Sequence, residues 1–345
     1  MLPALDEFIL QGVASGNSSL NRGDVIEVQG PAASGKTQLL YHLAACCILP
    51  KEVKVMSADG HAESTVHLGG WYRSVVVFDC EGRWDTRRLH TILVTRLNLL
   101  CSKTQLPPLP HKSDSTVSLI ALESLSRLHV FRPTSSFQLA ATLQNLPKYH
   151  AEKMQNEEMR LLLVDSISSF YWVDRWQAER SDSKKSFRPN PLKHVLRCLQ
   201  DVRRSHGPVI VLTNWGLNPL SSATSSVSST PFFKQHLITP FPAPFDTPPR
   251  PSSGHLDQLT LNYHITLPFP FVSQLHPDLI GLDGDLGHES GMLARALRDE
   301  RRQEVVRRGE IGGFVRIPHV GRGQDGNLIG RFGFGVLEHD VLSAP

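Results

Sequence analysis

Eight consecutive residues near the start of the chain have the types and spacing that bind phosphate. They read Gly30-Pro31-Ala32-Ala33-Ser34-Gly35-Lys36-Thr37, after an apolar run and before residues with helical spacing. Glycines let the backbone curl so that successive N–H groups face phosphate oxygens, and the helix N-terminus adds a favourable dipole. The pattern predicts an ATP site formed by this run and the adjacent Gln38, with Lys36 on the β- and γ-phosphates and Thr37 on Mg²⁺.

Two acidic residues lie where this chemistry needs them, just beyond apolar runs that predict strands. Asp165 follows residues 161–164, and Glu81 follows residues 75–78 by a few positions. We expect Asp165 to hold Mg²⁺ and Glu81 to polarise the attacking water. The alternatives are that Asp165 caps a helix and that Glu81 is a solvated loop carboxylate.

Apolar runs and helix-like segments alternate along the chain. Short apolar runs typical of buried strands occupy residues 25–28, 75–78, 128–131, 161–164 and 208–213. Segments with helical spacing lie between them, and one of these, from residue 137, is predicted to end before Pro147. This alternation predicts an α/β fold with a mostly parallel sheet and helices on both faces. Residues 313–318 and 332–337 predict a closing antiparallel hairpin.

The domain organisation follows from the length and from shifts in composition. With 345 residues, 40% of them hydrophobic, the chain can bury a full core. We expect a short lead at 1–20 and a single core at 21–345. Residues 216–257, rich in Ser, Pro and Thr, are predicted to be a disordered insertion. Polar or proline-rich stretches at 51–74, 102–117 and 177–190 are predicted to be loops.

Composition excludes several classes of protein. The net charge of +3 leaves any nucleic-acid contact to local patches. The five cysteines form neither a metal-type pair nor a regular disulfide framework, which favours a reducing compartment. No secretory signal and no sufficiently long apolar segment occur, so we expect an intracellular protein without a membrane span.

Several strings of this sequence resemble the RecA-type recombinases, especially the paralogues of the eukaryotic strand-exchange protein. Residues 77–89 are similar to the family segment that carries its catalytic glutamate, at the position of Glu81, and residues 163–169 to its Mg²⁺-binding strand. Residues 41–50 are similar to a paralogue helix. The Phe-Tyr-Trp-Val-Asp-Arg string at 170–175 is the most specific, because generic phosphate-loop enzymes have no reason to carry it.

The resemblance covers patches of residues 20–215 and implies a RecA-type P-loop NTPase core. It also implies assembly with other recombinase paralogues into a hetero-oligomer, in an ATP-modulated way. Binding to single-stranded or branched DNA follows from the same likeness. The implied role is accessory, in homologous-recombination repair of DNA double-strand breaks in the nucleus, with weak DNA-dependent ATP hydrolysis.

The chain departs from the family at a position that matters. Trp215 stands where active recombinases place a glutamine that senses the γ-phosphate. An indole cannot accept the hydrogen bond that a side-chain amide accepts, so coupling between hydrolysis and DNA state is not expected to follow the family pattern. Residues 216–257, where the family has DNA-binding loops, hold only Lys234, Arg250 and two histidines as basic groups. We therefore expect weak DNA binding by this chain alone.

Two other functions remain open from the sequence. The first is a scaffold in which nucleotide stabilises a subunit interface without turnover. The second is an unrelated phosphate-loop kinase that acts on a small molecule. A kinase would need a substrate lid with clustered arginines.

Overall fold

A computed structural model describes most of the chain. The described residues are 20–56, 63–103, 113–180, 190–218, 233–238, 240–242, 259–268, 300, 309–316, 328–337 and 340–343. Most of the predicted insertion at 216–257 lies outside them, and its disorder stays a prediction there, whereas Phe233, Leu237 and Phe241 within it are buried and contradict the prediction locally. Among the helices that the structure describes, none combines the length and apolar character needed to cross a membrane.

The described elements alternate strand and helix through the first two thirds of the chain. The strands are β1 Val25–Gly30, β2 Glu52–Met56, β3 Glu63–His67, β4 Ser74–Asp79, β5 Leu128–Phe131, β6 Met159–Asp165, β7 Val209–Trp215, β8 Tyr263–Thr266, β9 Glu310–Arg316, β10 Leu328–Val336 and β11 Val341–Ser343. The helices are α1 Lys36–Ile48, α2 Thr86–Lys103, α3 Ser113–Leu125, α4 Ser136–Lys153, α5 Tyr171–Arg180 and α6 Pro191–His206.

Nine strands form one sheet in the order β11-β10-β9-β8-β1-β7-β6-β4-β5. The strands from β8 to β5 in that order pair in parallel, whereas β9, β10 and β11 pair antiparallel to their neighbours. This confirms the predicted α/β fold with a mostly parallel sheet and a C-terminal antiparallel hairpin, to which β11 adds a third strand. The fold is consistent with a RecA-like core.

Helices cover both faces of the sheet, as the continuous apolar strands predict. Along β4 and β6, alternate residues enter two separate buried clusters. Val77 and Leu163 pack with α1, α2 and α3, while Phe78 and Val164 pack with α4 and α6. The sheet is therefore buried on both sides, and its functional groups are confined to the strand ends.

Three predicted loops contain regular structure, and one predicted helix is longer than expected. The stretch 51–74 contains the antiparallel ribbon β2–β3, α3 begins inside 102–117, and α5 extends into 177–190. The helix predicted to end before Pro147 continues to Lys153 as α4. Tertiary packing accounts for the continuation, because Met154 beyond the proline is buried and Tyr149 packs edge-on against Phe131.

A buried polar cluster crosses the middle of the sheet. Glu27 on β1 is fully buried, and its Oε1 accepts a hydrogen bond from Asn214 Nδ2 on β7 at 2.8 Å. Its Oε2 lies 3.6 Å from Nε2 of His264, which is also fully buried, on β8. Burial raises the pKa of Glu27 to about 7 and, helped by Arg316, lowers the pKa of His264 to about 3. Both side chains are therefore uncharged in mildly acidic solution.

This cluster predicts a pH dependence of stability. Between about pH 3 and 6.5 the lowered pKa of His264 makes its contribution to the free energy of unfolding rise with pH. Between pH 4.5 and about 7 the folded protein binds more protons at Glu27 than the unfolded chain, so the contribution of Glu27 falls as pH rises. Glu27→Gln, which keeps the shape of the neutral acid, should remove up to about 3 kcal/mol of this fall. Urea denaturation at pH 5 and pH 8 measures it.

Glu152→Gln is the matched control, because the Glu152 side chain is 57% exposed on α4. This control should keep the wild-type dependence on pH. The same dependence on pH in Glu27→Gln and in wild type would contradict the assignment.

Candidate nucleotide site

The predicted phosphate loop lies between β1 and α1, at the carboxyl edge of the parallel strands. A Cβ atom on Gly30 would lie 2.4 Å from both Leu267 O and Ser34 Oγ, so only glycine fits there. Gly35, just before α1, has φ 88°, and Ala33 has φ 59°. These left-handed residues curl the loop as the motif predicts. Within it, Pro31 is buried, while Ala32 and Ala33 are exposed.

Lys36 lies over this loop. Its Nζ donates hydrogen bonds to Gly30 O at 2.8 Å and to Pro31 O at 2.7 Å. Burial lowers the pKa of Lys36, and the negative charges of Asp165 and Glu81 partly offset that effect. The structure therefore brings the three predicted charged residues into one site.

Asp165 is joined to Thr37 directly. Thr37 Oγ1 donates to Asp165 Oδ2 at 2.7 Å, and Thr213 Oγ1 on β7 donates to the other carboxylate oxygen at 2.5 Å. Burial raises the pKa of Asp165, and the two hydroxyl hydrogen bonds oppose the rise. The carboxylate therefore faces the phosphate loop, which contradicts the alternative of a helix cap. Thr213, on the neighbouring strand, was not among the predicted site residues.

The oxygen atoms of this site have the chemistry that a magnesium–triphosphate group requires. The Thr37 hydroxyl and the Asp165 carboxylate are hard oxygen ligands, which Mg²⁺ prefers. The Ser34 hydroxyl is buried within the loop and has no hydrogen-bond partner in the described part of the protein. A buried hydroxyl without a hydrogen-bond partner lowers the stability of the fold. The Ser34 hydroxyl could therefore donate to an anion bound at the loop.

Glu81 is held by two donors. Its Oε1 accepts from Ser166 Oγ at 3.0 Å and from the indole Nε1 of Trp215 at 2.9 Å. Its Oε2 lies 3.7 Å from Nε of Arg83. The side chain is 23% exposed, so the alternative of a freely solvated loop carboxylate is wrong. The indole, predicted only to be unable to accept a hydrogen bond, acts here as a donor.

Asp79 organises the turn that carries Glu81 and was not among the predicted site residues. It is 2% exposed at the end of β4. Its carboxylate accepts from the backbone N–H groups of Arg83 at 2.9 Å and Trp84 at 3.0 Å, and from Arg132 Nε at 3.2 Å. The signal in the sequence is an Asp that ends an apolar strand three residues before a glycine, here Gly82, whose φ of 68° closes the turn.

Gln38 lies in the first turn of α1. Its Oε1 accepts from Arg88 Nη2 at 3.1 Å, and the same nitrogen donates to Leu337 O at 2.8 Å. Arg88 thereby links α1 to the segment after β10. The predicted contact between Gln38 and nucleotide stays a prediction.

Comparison with known proteins agrees with the resemblance drawn from the sequence. No family model matches the chain. It is 35% identical over 153 residues to the mouse DNA repair protein XRCC2, covering 44% of this chain and 43% of that protein. It is 24% identical over 244 residues to the DNA repair protein XRCC2 homolog of Arabidopsis thaliana, covering 64% and 63%. The chain thus spans less than two thirds of the length of the relatives that it matches, and the likeness supports a similarity to XRCC2 proteins.

The loop geometry predicts that a side chain at Gly35 is destabilising. A Cβ there would meet Ile311 Cδ1 at 2.2 Å, in a left-handed backbone conformation that disfavours alanine. Gly35→Ala should lower the free energy of unfolding by about 1–3 kcal/mol, as measured by urea denaturation. Gly312→Ala on β9 is the control, because nothing lies within 4 Å of its added Cβ. Equal stability of the two variants would contradict the close contact.

Proposed function

We propose that this protein is an ATP-binding recombinase paralogue that supports homologous-recombination repair of DNA double-strand breaks. The single observation that carries the ATP site is the 2.7 Å hydrogen bond between Thr37 and Asp165, which are 128 residues apart in sequence. It brings a phosphate loop and a strand-end carboxylate together at one point. That pairing is what a magnesium–nucleotide site requires.

In this proposal the loop residues 30–37 and Lys36 bind the triphosphate, and Thr37 and Asp165 hold Mg²⁺. When bound, magnesium–ATP supplies a γ-phosphoryl group that water can attack. Glu81 is the candidate base that orients this water through a carboxylate oxygen. We expect hydrolysis to be slow, because Glu81 Oε1 already accepts hydrogen bonds from Ser166 and Trp215.

The cellular role rests on the names of the relatives and on the family resemblance. Both relatives are named DNA repair proteins. We infer action in the nucleus, in a hetero-oligomer with other recombinase paralogues. Single-stranded or branched DNA would be bound weakly by this chain, since residues 216–257 hold only Lys234, Arg250 and two histidines as basic groups, and partner subunits would supply most of the affinity.

The ATP site is tested by removing its charged groups one at a time. Lys36→Ala and Asp165→Asn should each weaken Mg²⁺-dependent ATP binding by at least about tenfold, because hydrogen bonds to charged groups are worth at least that factor. Titration with a fluorescent ATP analogue, with and without Mg²⁺, measures the effect. Lys193→Ala on α6 is the control, since that lysine is exposed. If Lys36→Ala binds as Lys193→Ala does, the site is not used for ATP.

A complementation test in cells distinguishes the scaffold alternative from the ATP-dependent role. We expect Lys36→Ala to fail in restoring double-strand-break repair to cells that lack the protein, whereas Lys193→Ala restores it. Full restoration by Lys36→Ala would favour the scaffold. Pull-down of the full chain from nuclear extract should recover another recombinase paralogue. Recovery of a metabolic enzyme complex instead would favour a small-molecule kinase.

A further inference from the structure

Trp215 is fixed beside the phosphate loop by its backbone. It ends β7 and pairs in register with Gly30 of β1. Its N–H donates to Ser168 Oγ at 3.1 Å, and the next N–H, of Gly216, donates to Gly30 O at 2.8 Å. The indole therefore has a defined position at the edge of the candidate site.

The indole N–H is directed at the candidate base. It donates to Glu81 Oε1 at 2.9 Å, and Ser166 Oγ donates to the same oxygen at 3.0 Å. Two donors match the two lone pairs of that oxygen. Glu81 Oε2 lies 3.7 Å from Nε of Arg83, as an ion pair. A water molecule that approaches Glu81 Oε1 must compete with the two donors, and one that approaches Oε2 meets the Arg83 charge.

A separate piece of chain, residues 233–238, packs against the end of β7. The His236 ring stacks on the Trp215 indole, with centroids 6.3 Å apart and planes 13° apart, and meets Tyr171 edge-on at 5.1 Å. Both His236 ring nitrogens are buried and have no hydrogen-bond partner among the described residues. The ring is therefore held by its aromatic neighbours.

The same segment contacts the residues on either side of Trp215. Gln235 Oε1 accepts from Asn214 Nδ2 at 3.4 Å. The ring of Phe233 lies so close to Gly216 that an added Cβ would meet it at 2.7 Å. Residues 233–238 thus cover three consecutive residues, 214–216, and a movement of this segment would change the packing of the indole.

We propose that Trp215 is a positioning residue that restrains Glu81 from acting as the base, and that residues 233–238 hold the indole in place. The proposal rests on the ATP site proposed above and concerns the regulation of that site. Whatever displaces residues 233–238 would free the indole, and with it the Glu81 carboxylate. The position of residues 233–238 would then control the rate of hydrolysis through the Trp215 side chain.

Trp215→Phe tests the restraint, because it keeps an aromatic ring and removes the N–H donor. In single-turnover hydrolysis of magnesium–ATP by the full chain, its rate constant should rise roughly tenfold, the effect of one hydrogen bond to a charged group. ATP affinity, measured separately, should not change. Trp176→Phe is the matched control, since Trp176 is 55% exposed on α5. A rate in Trp215→Phe no higher than in wild type, including no hydrolysis by either, overturns the restraint.

His236→Ala tests the role of the segment. It leaves the indole N–H intact and removes the stacked ring, so the rate should rise by less than in Trp215→Phe. No rise in His236→Ala overturns the role of residues 233–238. Failure of wild type to bind magnesium–ATP would contradict the proposed function itself. Normal binding with unchanged rates in both variants contradicts only the restraint.

Discussion

The site depends on one buried carboxylate that must be fully hydrogen-bonded. Asp165 is 7% exposed, and each of its oxygens accepts from a threonine, Thr37 on α1 or Thr213 on β7. Without these bonds a buried charge would be strongly destabilising. The requirement fixes the helix after the phosphate loop against two sheet strands. Parallel register then places the other acidic turn beside it, because Asp79 pairs with Asp165.

Successive residues of β7 contact two different polar clusters, the candidate nucleotide site on one face of the sheet and the buried Glu27 cluster on the other. Thr213 and Trp215 reach Asp165 and Glu81, while Asn214 between them reaches the buried Glu27 from the other face. Successive side chains of a strand point to opposite faces, so one short strand serves both clusters. Residues 233–238 contact both clusters, through Gln235 and His236.

Sequence predicted the features that local physics determines. Glycine spacing located the phosphate loop, and apolar runs located Asp165 and Glu81 at the ends of strands. The placement of β1 between β7 and β8 was not predictable, because strand order depends on long-range pairing. The end of α4 was predicted wrongly at Pro147, because the packing of the residues beyond this proline outweighs its local tendency to break a helix. The donor role of Trp215 depends on a partner 134 residues away.

The charges of the site require a cation if a triphosphate is to bind. Asp165 and Glu81 carry two negative charges near the loop, and Lys36 supplies one positive charge. A triphosphate would add several more negative charges in a partly buried setting, where repulsion between like charges is poorly screened. In the proposed site, Thr37 and Asp165 would hold the divalent ion that offsets this repulsion. Nucleotide affinity and metal affinity would then be coupled by the same carboxylate that stabilises the fold.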